Sequence, residues 1–131
     1  MKKLILLLHI CLLPMCVSCQ TEQAFKSVDV AEFEKVIADT SYVLLDVRTA
    51  TEYAEGHIPG THFNIDVLQE SFESEALKVL RKKKKVALYC RSGNRSKNAA
   101  RILSEKGLQV VELSTGFKGW KVAGKPTKVT P

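Results

Sequence analysis

The chain has 131 residues, 20 Lys+Arg against 14 Asp+Glu for a formal charge of +6, and 45% hydrophobic residues. That length supports one small domain with a single core and leaves no room for a second. The mild basic balance fits an anionic substrate or an anionic membrane surface without choosing between them. No group of His, Cys, Asp and Glu has metal-ligand spacing and no glycine-rich nucleotide loop occurs, so no metal, cofactor or nucleic-acid partner is expected.

Residues 1–18 read as a signal peptide. Lys2 and Lys3 form a basic start, Leu4 to Leu13 is an apolar run too short to span a bilayer as a permanent helix, and Val17-Ser18 follows. Cys16-Val17-Ser18-Cys19 resembles a bacterial lipobox, with cleavage before Cys19 and lipid attached to that residue. Cys16 stands where an aliphatic residue is usual, and plain secretory cleavage or an uncleaved anchor are the alternatives. Lipidation is the preferred expectation, placing the protein in the bacterial cell envelope as an exported, membrane-anchored monomer. Loss of Lys2 and Lys3 leaves 18 Lys+Arg against 14 Asp+Glu, so the mature charge is +4.

Residues 19–24 are polar and read as a tether, and the domain is expected over residues 25–131. Phe25 to Val28 reads as a short strand. Asp29 then caps a helix whose Val30, Phe33, Val36 and Ile37 fall at helical spacing. Tyr42 to Val47 is an almost continuous apolar run, a buried strand carrying Asp46 near its C-terminal end. A polar stretch follows, with one helical turn around Glu52-Tyr53 closed by Gly56. His57-Ile58-Pro59-Gly60 reads as a tight turn and Thr61 to Ile65 as another strand. Asp66 to Leu80 reads as a helix, and the basic run Arg81 to Lys85 enters the strand Val86 to Tyr89. Ser96 to Lys106 reads as a helix with Gly107 at its C-cap, Leu108 to Leu113 as a last strand, and Gly116 to Trp120 as a helical turn. Strands alternating with helices in short units imply an α/β domain with a mostly parallel sheet, whose ligands bind beyond the C-terminal strand ends. Asp46 and Cys90 both lie at such ends.

Cys11 and Cys16 leave with the signal and Cys19 would carry lipid, so Cys90 is the one free thiol expected in the mature chain. It stands between a strand and a helix start, where backbone N–H groups and the helix dipole favour the thiolate. Cys90 is therefore the candidate nucleophile. Successive N–H groups from Arg91 through Ser92, Gly93, Asn94 and Arg95 to Ser96 can form an anion-binding nest, with Gly93 supplying the positive φ that such a curl requires. Arg91 is assigned to substrate attraction and Arg95 to loop rigidity. Asp46, Arg48 and His57 read as structural support.

Asp46-Val47-Arg48, Glu52-Tyr53 with Gly56-His57-Ile58-Pro59-Gly60, Cys90-Arg91-Ser92-Gly93-Asn94-Arg95-Ser96 and Gly116-Phe117-Lys118-Gly119-Trp120 occur in that order. Together they resemble a single-domain rhodanese from about Phe25 to Pro126. The resemblance implies a three-layer sandwich with a mostly parallel central sheet flanked by helices. It also implies a thiosulfate sulfurtransferase activity: Cys90 takes sulfur as a persulfide from a small anionic donor and passes it to cyanide or a thiol, protein thiols included. A non-catalytic persulfide carrier or binding module is the alternative. A cysteine-dependent phosphatase or reductase ranks lower, because phosphatases use a loop one residue longer and Cys90 and Arg95 have four residues between them. His62 departs from the small or aliphatic residues usual after the turn, and the sequence suggests no role for it.

Overall fold

The computed structural model describes residues 24–80, 82, 83 and 85–131. Residues 1–23, and with them the signal peptide, most of the tether and Cys19, lie outside the described residues. In chain order the elements are β1 (Lys26–Val28), α1 (Val30–Ala38), β2 (Tyr42–Asp46), α2 (Ala50–Glu55), β3 (Phe63–Asn64), α3 (Phe72–Val79), β4 (Lys85–Tyr89), α4 (Asn94–Glu105), β5 (Gln109–Leu113) and α5 (Gly116–Val122). The strands form one parallel five-stranded sheet in the order β1-β5-β4-β2-β3. This is the expected α/β architecture with a parallel central sheet.

Both faces of the central strands are covered, which is why they read as continuous apolar runs. Because strand side chains alternate, Val43, Leu45, Val47, Val86, Leu88 and Cys90 face one side. There they pack with Phe72 and Ala76 of α3 and Ala99, Ala100 and Leu103 of α4. Leu44, Ala87, Tyr89, Val111 and Leu113 face the other side, against Phe33 of α1 and Phe117 and Trp120 of α5. The result is three layers, with Cys90 and Tyr89 on opposite faces although adjacent in sequence.

Local chemistry sets most element ends. The Asp29 side chain accepts the Glu32 N–H at 2.9 Å, and Thr49 with Glu52 forms a reciprocal capping box on α2. Two helix starts differ from the sequence expectation. α3 begins at Phe72 rather than Asp66, because the Asp66 carboxylate accepts the Leu68 N–H at 2.9 Å and its carbonyl accepts the Gln69 N–H, holding residues 66–71 in turns. α4 begins at Asn94 rather than Ser96, because Gly93 at φ 106° turns the chain directly into the helix.

β3 is shorter than the expected Thr61 to Ile65 because His62 replaces part of the ladder. Its backbone N–H donates to the Leu44 carbonyl at 2.8 Å, and its ring Nδ1 accepts the Leu44 N–H at 2.9 Å. This explains a histidine at that position: it satisfies a backbone donor of β2 where a regular strand partner is missing.

Candidate active site

Strand register brings the two strand ends together. Asp46 of β2 lies beside Tyr89 of β4, and the Val47 N–H donates to the Tyr89 carbonyl at 3.0 Å. The chain then turns at Cys90 into the loop that opens α4. Cys90 is buried, and its sulfur accepts the Gly93 N–H at 3.1 Å while lying 3.5 Å from the Ser96 hydroxyl. Burial pushes the thiol up, but hydrogen bonds from the Ser96 hydroxyl and from the Ser96, Gly93 and Ser92 backbone outweigh it and leave the thiol below its ordinary range.

The loop has no slack. A Cβ on Gly93 would stand 2.2 Å from the Ser114 carbonyl oxygen, and one on Gly116 would stand 2.3 Å from the Arg91 carbonyl oxygen. That close approach lets the first turn of α5 grip the loop: Phe117 N–H donates to the Cys90 carbonyl at 2.8 Å and Lys118 N–H to the Arg91 carbonyl at 2.9 Å. The Gly116 to Trp120 segment therefore belongs to the loop's support.

Of the loop side chains, Arg91, Ser92 and Asn94 are exposed, Arg95 is half-buried and Ser96 is buried. Arg91 borders a cleft of about 510 Å³ together with Lys118, Lys121, Glu55 and the Phe117 ring. Arg95 pairs with Glu52 on α2, which lines the same cleft, through two bonds of 2.7 and 2.9 Å. Ser96 donates to Glu112 Oε2 at 2.7 Å.

The Asp46–Arg48 pair is buried under this rim. Arg48 makes a two-pronged contact with Asp46, 3.0 Å from Nε and 2.6 Å from the terminal nitrogen, and donates to the Gly56 carbonyl at 2.7 Å. Burial works against its charge, yet the Asp46 contacts outweigh burial and hold the guanidinium protonated. Its plane also lies 4.5 Å from the Phe117 ring centre. His57 is buried, stacks on Tyr53 at 3.9 Å and meets the Tyr53 carbonyl at 2.9 Å through Nδ1, which therefore carries the hydrogen. His57 also pairs with Lys128 through both backbone groups.

Three contributors carry no site role in the sequence reading. The Tyr89 hydroxyl oxygen accepts the Ile58 N–H at 3.1 Å and shares a hydrogen bond with Thr61 Oγ1 at 2.9 Å, tying the His57 to Gly60 turn to β4. Burial pushes its phenol well above the ordinary range. Glu52 clamps Arg95, and Glu112 holds Ser96. The capping-box spacing from Thr49 was the available sign of Glu52; nothing local marks Glu112.

The rhodanese-like domain family model matches residues 29–123. The chain is 37% identical over 94 residues to YtwF of Bacillus subtilis (strain 168), covering 71% of this chain and 86% of that protein. It is 35% identical over 103 residues to a sulfurtransferase of Allochromatium vinosum, covering 76% and 91% respectively. The crystal structure of a rhodanese-related protein from Thermoplasma volcanium superposes with a TM-score of 0.69 at 33% identity, covering 80% of this chain and 99% of that one. Sulfur transfer is thus the activity supported at the level of the family, with a sulfur donor and an acceptor as its two partners. The fold, the loop between β4 and α4, and this similarity along most of the chain establish that the protein belongs to the rhodanese-like family.

Proposed function

We propose that the protein is a thiosulfate-type sulfurtransferase that carries sulfane sulfur as a persulfide on Cys90. The carrying observation is the sulfur itself: buried at the start of α4, holding the Gly93 N–H at 3.1 Å, with its thiol below the ordinary range. Those donors suit both the attacking thiolate and a terminal persulfide sulfur. In the first half-reaction Cys90 attacks the outer sulfur of thiosulfate. The donor S–S bond breaks, and its electron pair leaves with sulfite. In the second, cyanide or a thiolate takes the outer persulfide sulfur and the Cys90 thiolate returns. Arg91, Lys118 and Lys121 border the cleft beside the loop and suit an anionic donor. Arg95, Ser92 and Asn94 shape and hold the loop, with Asp46, Arg48 and His57 supporting it from behind.

Intact mass after incubation with thiosulfate tests this reading. The expected result is one added sulfur on the wild type, none on Cys90→Ser, and thiocyanate on adding cyanide. Persulfide without thiocyanate would make the protein a carrier, and no persulfide would remove the assignment. We further infer an exported lipoprotein, with residues 1–18 removed, Cys19 lipidated and residues 19–24 as tether. Metabolic labelling with a fatty-acid analogue should be lost in Cys19→Ala, and label retained there would refute that assignment.

A further inference from the structure

Glu112 on β5 is a fully buried carboxylate that the two half-reactions leave unused. It receives the Ser27 hydroxyl from β1, Lys97 Nζ from α4 at 3.1 Å and the Ser96 hydroxyl at 2.7 Å. Ser96 Oγ in turn lies 3.5 Å from the Cys90 sulfur. A hydroxyl has one hydrogen and a carboxylate can only accept. With Glu112 charged, Ser96 therefore gives its hydrogen to Oε2 and turns lone pairs toward the sulfur, an arrangement suited to a thiol S–H. The Gly93 carbonyl, 3.0 Å from Ser96 Oγ, is another acceptor for that hydrogen but takes up no proton.

A thiolate reverses the requirement, since it must receive the hydrogen. Were the thiol proton lost to water with Glu112 still charged, two buried anions would claim the one Ser96 hydrogen, and one of them would go short. Passing the thiol proton to the Ser96 oxygen, while the Ser96 hydrogen passes to Glu112, avoids this. Ser96 then donates to the sulfur and Glu112 donates back to Ser96, with no heavy atom displaced. Lys97 has the Gly93 carbonyl at 3.3 Å as a second acceptor once the carboxylate is neutral. Among the described residues, the titratable groups facing Glu112 are Lys97 and, through Ser96, Cys90; β1 offers only the Ser27 hydroxyl.

We propose that Glu112 is the proton acceptor for Cys90, acting through the Ser96 hydroxyl. The proposal rests on Cys90 being the sulfur-accepting nucleophile. Written in full, the Cys90 thiol, the Glu112 carboxylate and thiosulfate give the Cys90 persulfide anion, the Glu112 carboxylic acid and sulfite, with charge and protons conserved. Glu112 never touches the substrate.

Alkylation of Cys90 by iodoacetamide as a function of pH tests the relay without requiring sulfur transfer. In the wild type, alkylation should level off below the Cys90 midpoint at a pH-independent rate set by the fraction of molecules in which Glu112 holds the proton, whereas in Glu112→Gln it should keep falling about tenfold per pH unit. Ser96→Ala should do the same, and the double variant should add nothing further. A carboxylate that merely repels the thiolate, or a purely structural one, gives a wild type that also falls about tenfold per pH unit without levelling off, and that result overturns the proposal. A normal relay with no persulfide from thiosulfate would sink the sulfurtransferase reading alone.

Discussion

Arg95 and Glu52, 43 residues apart in sequence, form a two-pronged ion pair of 2.7 and 2.9 Å that fastens the Cys90 loop to α2. The Arg95 guanidinium draws the Glu52 carboxyl down to about 2 against a partial opposing effect of burial, helped by the Thr49 N–H. A carboxyl depressed on folding stabilises the protein fully above its unfolded value, near 4.5, and loses that contribution as pH falls to about 2. The difference in unfolding free energy between wild type and Glu52→Gln should be about 1 kcal/mol near neutral pH, given the partial exposure of both side chains. Denaturant titrations should show it shrinking below about pH 4.5 and vanishing near pH 2.

Gly93→Ala and Gly116→Ala should be far more damaging than Gly60→Ala or Gly124→Ala, although all four glycines have positive φ. At Gly93 and Gly116 the new methyl meets backbone at 2.2 and 2.3 Å, whereas at Gly60 and Gly124 it meets open space. Costs of about 3 kcal/mol for the first pair and about 1 kcal/mol for the second are expected in chemical denaturation. Gly93→Ala should also slow Cys90 alkylation, since the Gly93 N–H is one of the bonds favouring the thiolate.

Asp46→Asn leaves the buried Arg48 guanidinium without its counter-charge, at an expected cost of about 3–5 kcal/mol. The double variant Asp46→Asn, Arg48→Met should recover a large part of that loss, because no buried charge is then uncompensated. Unfolding free energies of the two variants decide the matter. Equal costs would mean that solvent reaches Arg48 despite its 3% exposure.

His62→Ala removes the acceptor of the Leu44 N–H and should cost about 1 kcal/mol. Hydrogen exchange should report it locally, with the Leu44 amide accelerated far more than that of Val43. Comparable acceleration throughout β2 would mean that His62 acts through packing.

Reversing charge at the cleft rim, as in Arg91→Glu with Lys121→Glu, should slow persulfide formation from thiosulfate by about tenfold at low ionic strength and less in salt. Alkylation by neutral iodoacetamide should change little, separating attraction of an anion from reactivity of the thiol. Equal slowing of both reagents would place these cations in loop support.

The parts of this protein legible in its sequence are those set within a few residues or by periodic burial. Apolar runs at Tyr42 to Val47 and Val86 to Tyr89, the helical spacing after Asp29 and the Gly93 bend encode strand, helix and turn locally, so the α/β order and the position of Cys90 at a strand end could be read directly. Even there, side-chain hydrogen bonding by Asp66 moved a helix start by six residues, since competition between local backbone states is settled by small energies. The partners of those residues could not be read. Glu52 reaches Arg95 and Glu112 reaches Ser96 because the order β1-β5-β4-β2-β3 places their elements side by side, and His62 finds Leu44 because β3 lies beside β2. Sequence alone determined where the thiol stands and what kind of sheet carries it. Only the tertiary structure decided which charges hold its loop and which carboxylate shares its hydrogen, because those contacts depend on how distant segments pack.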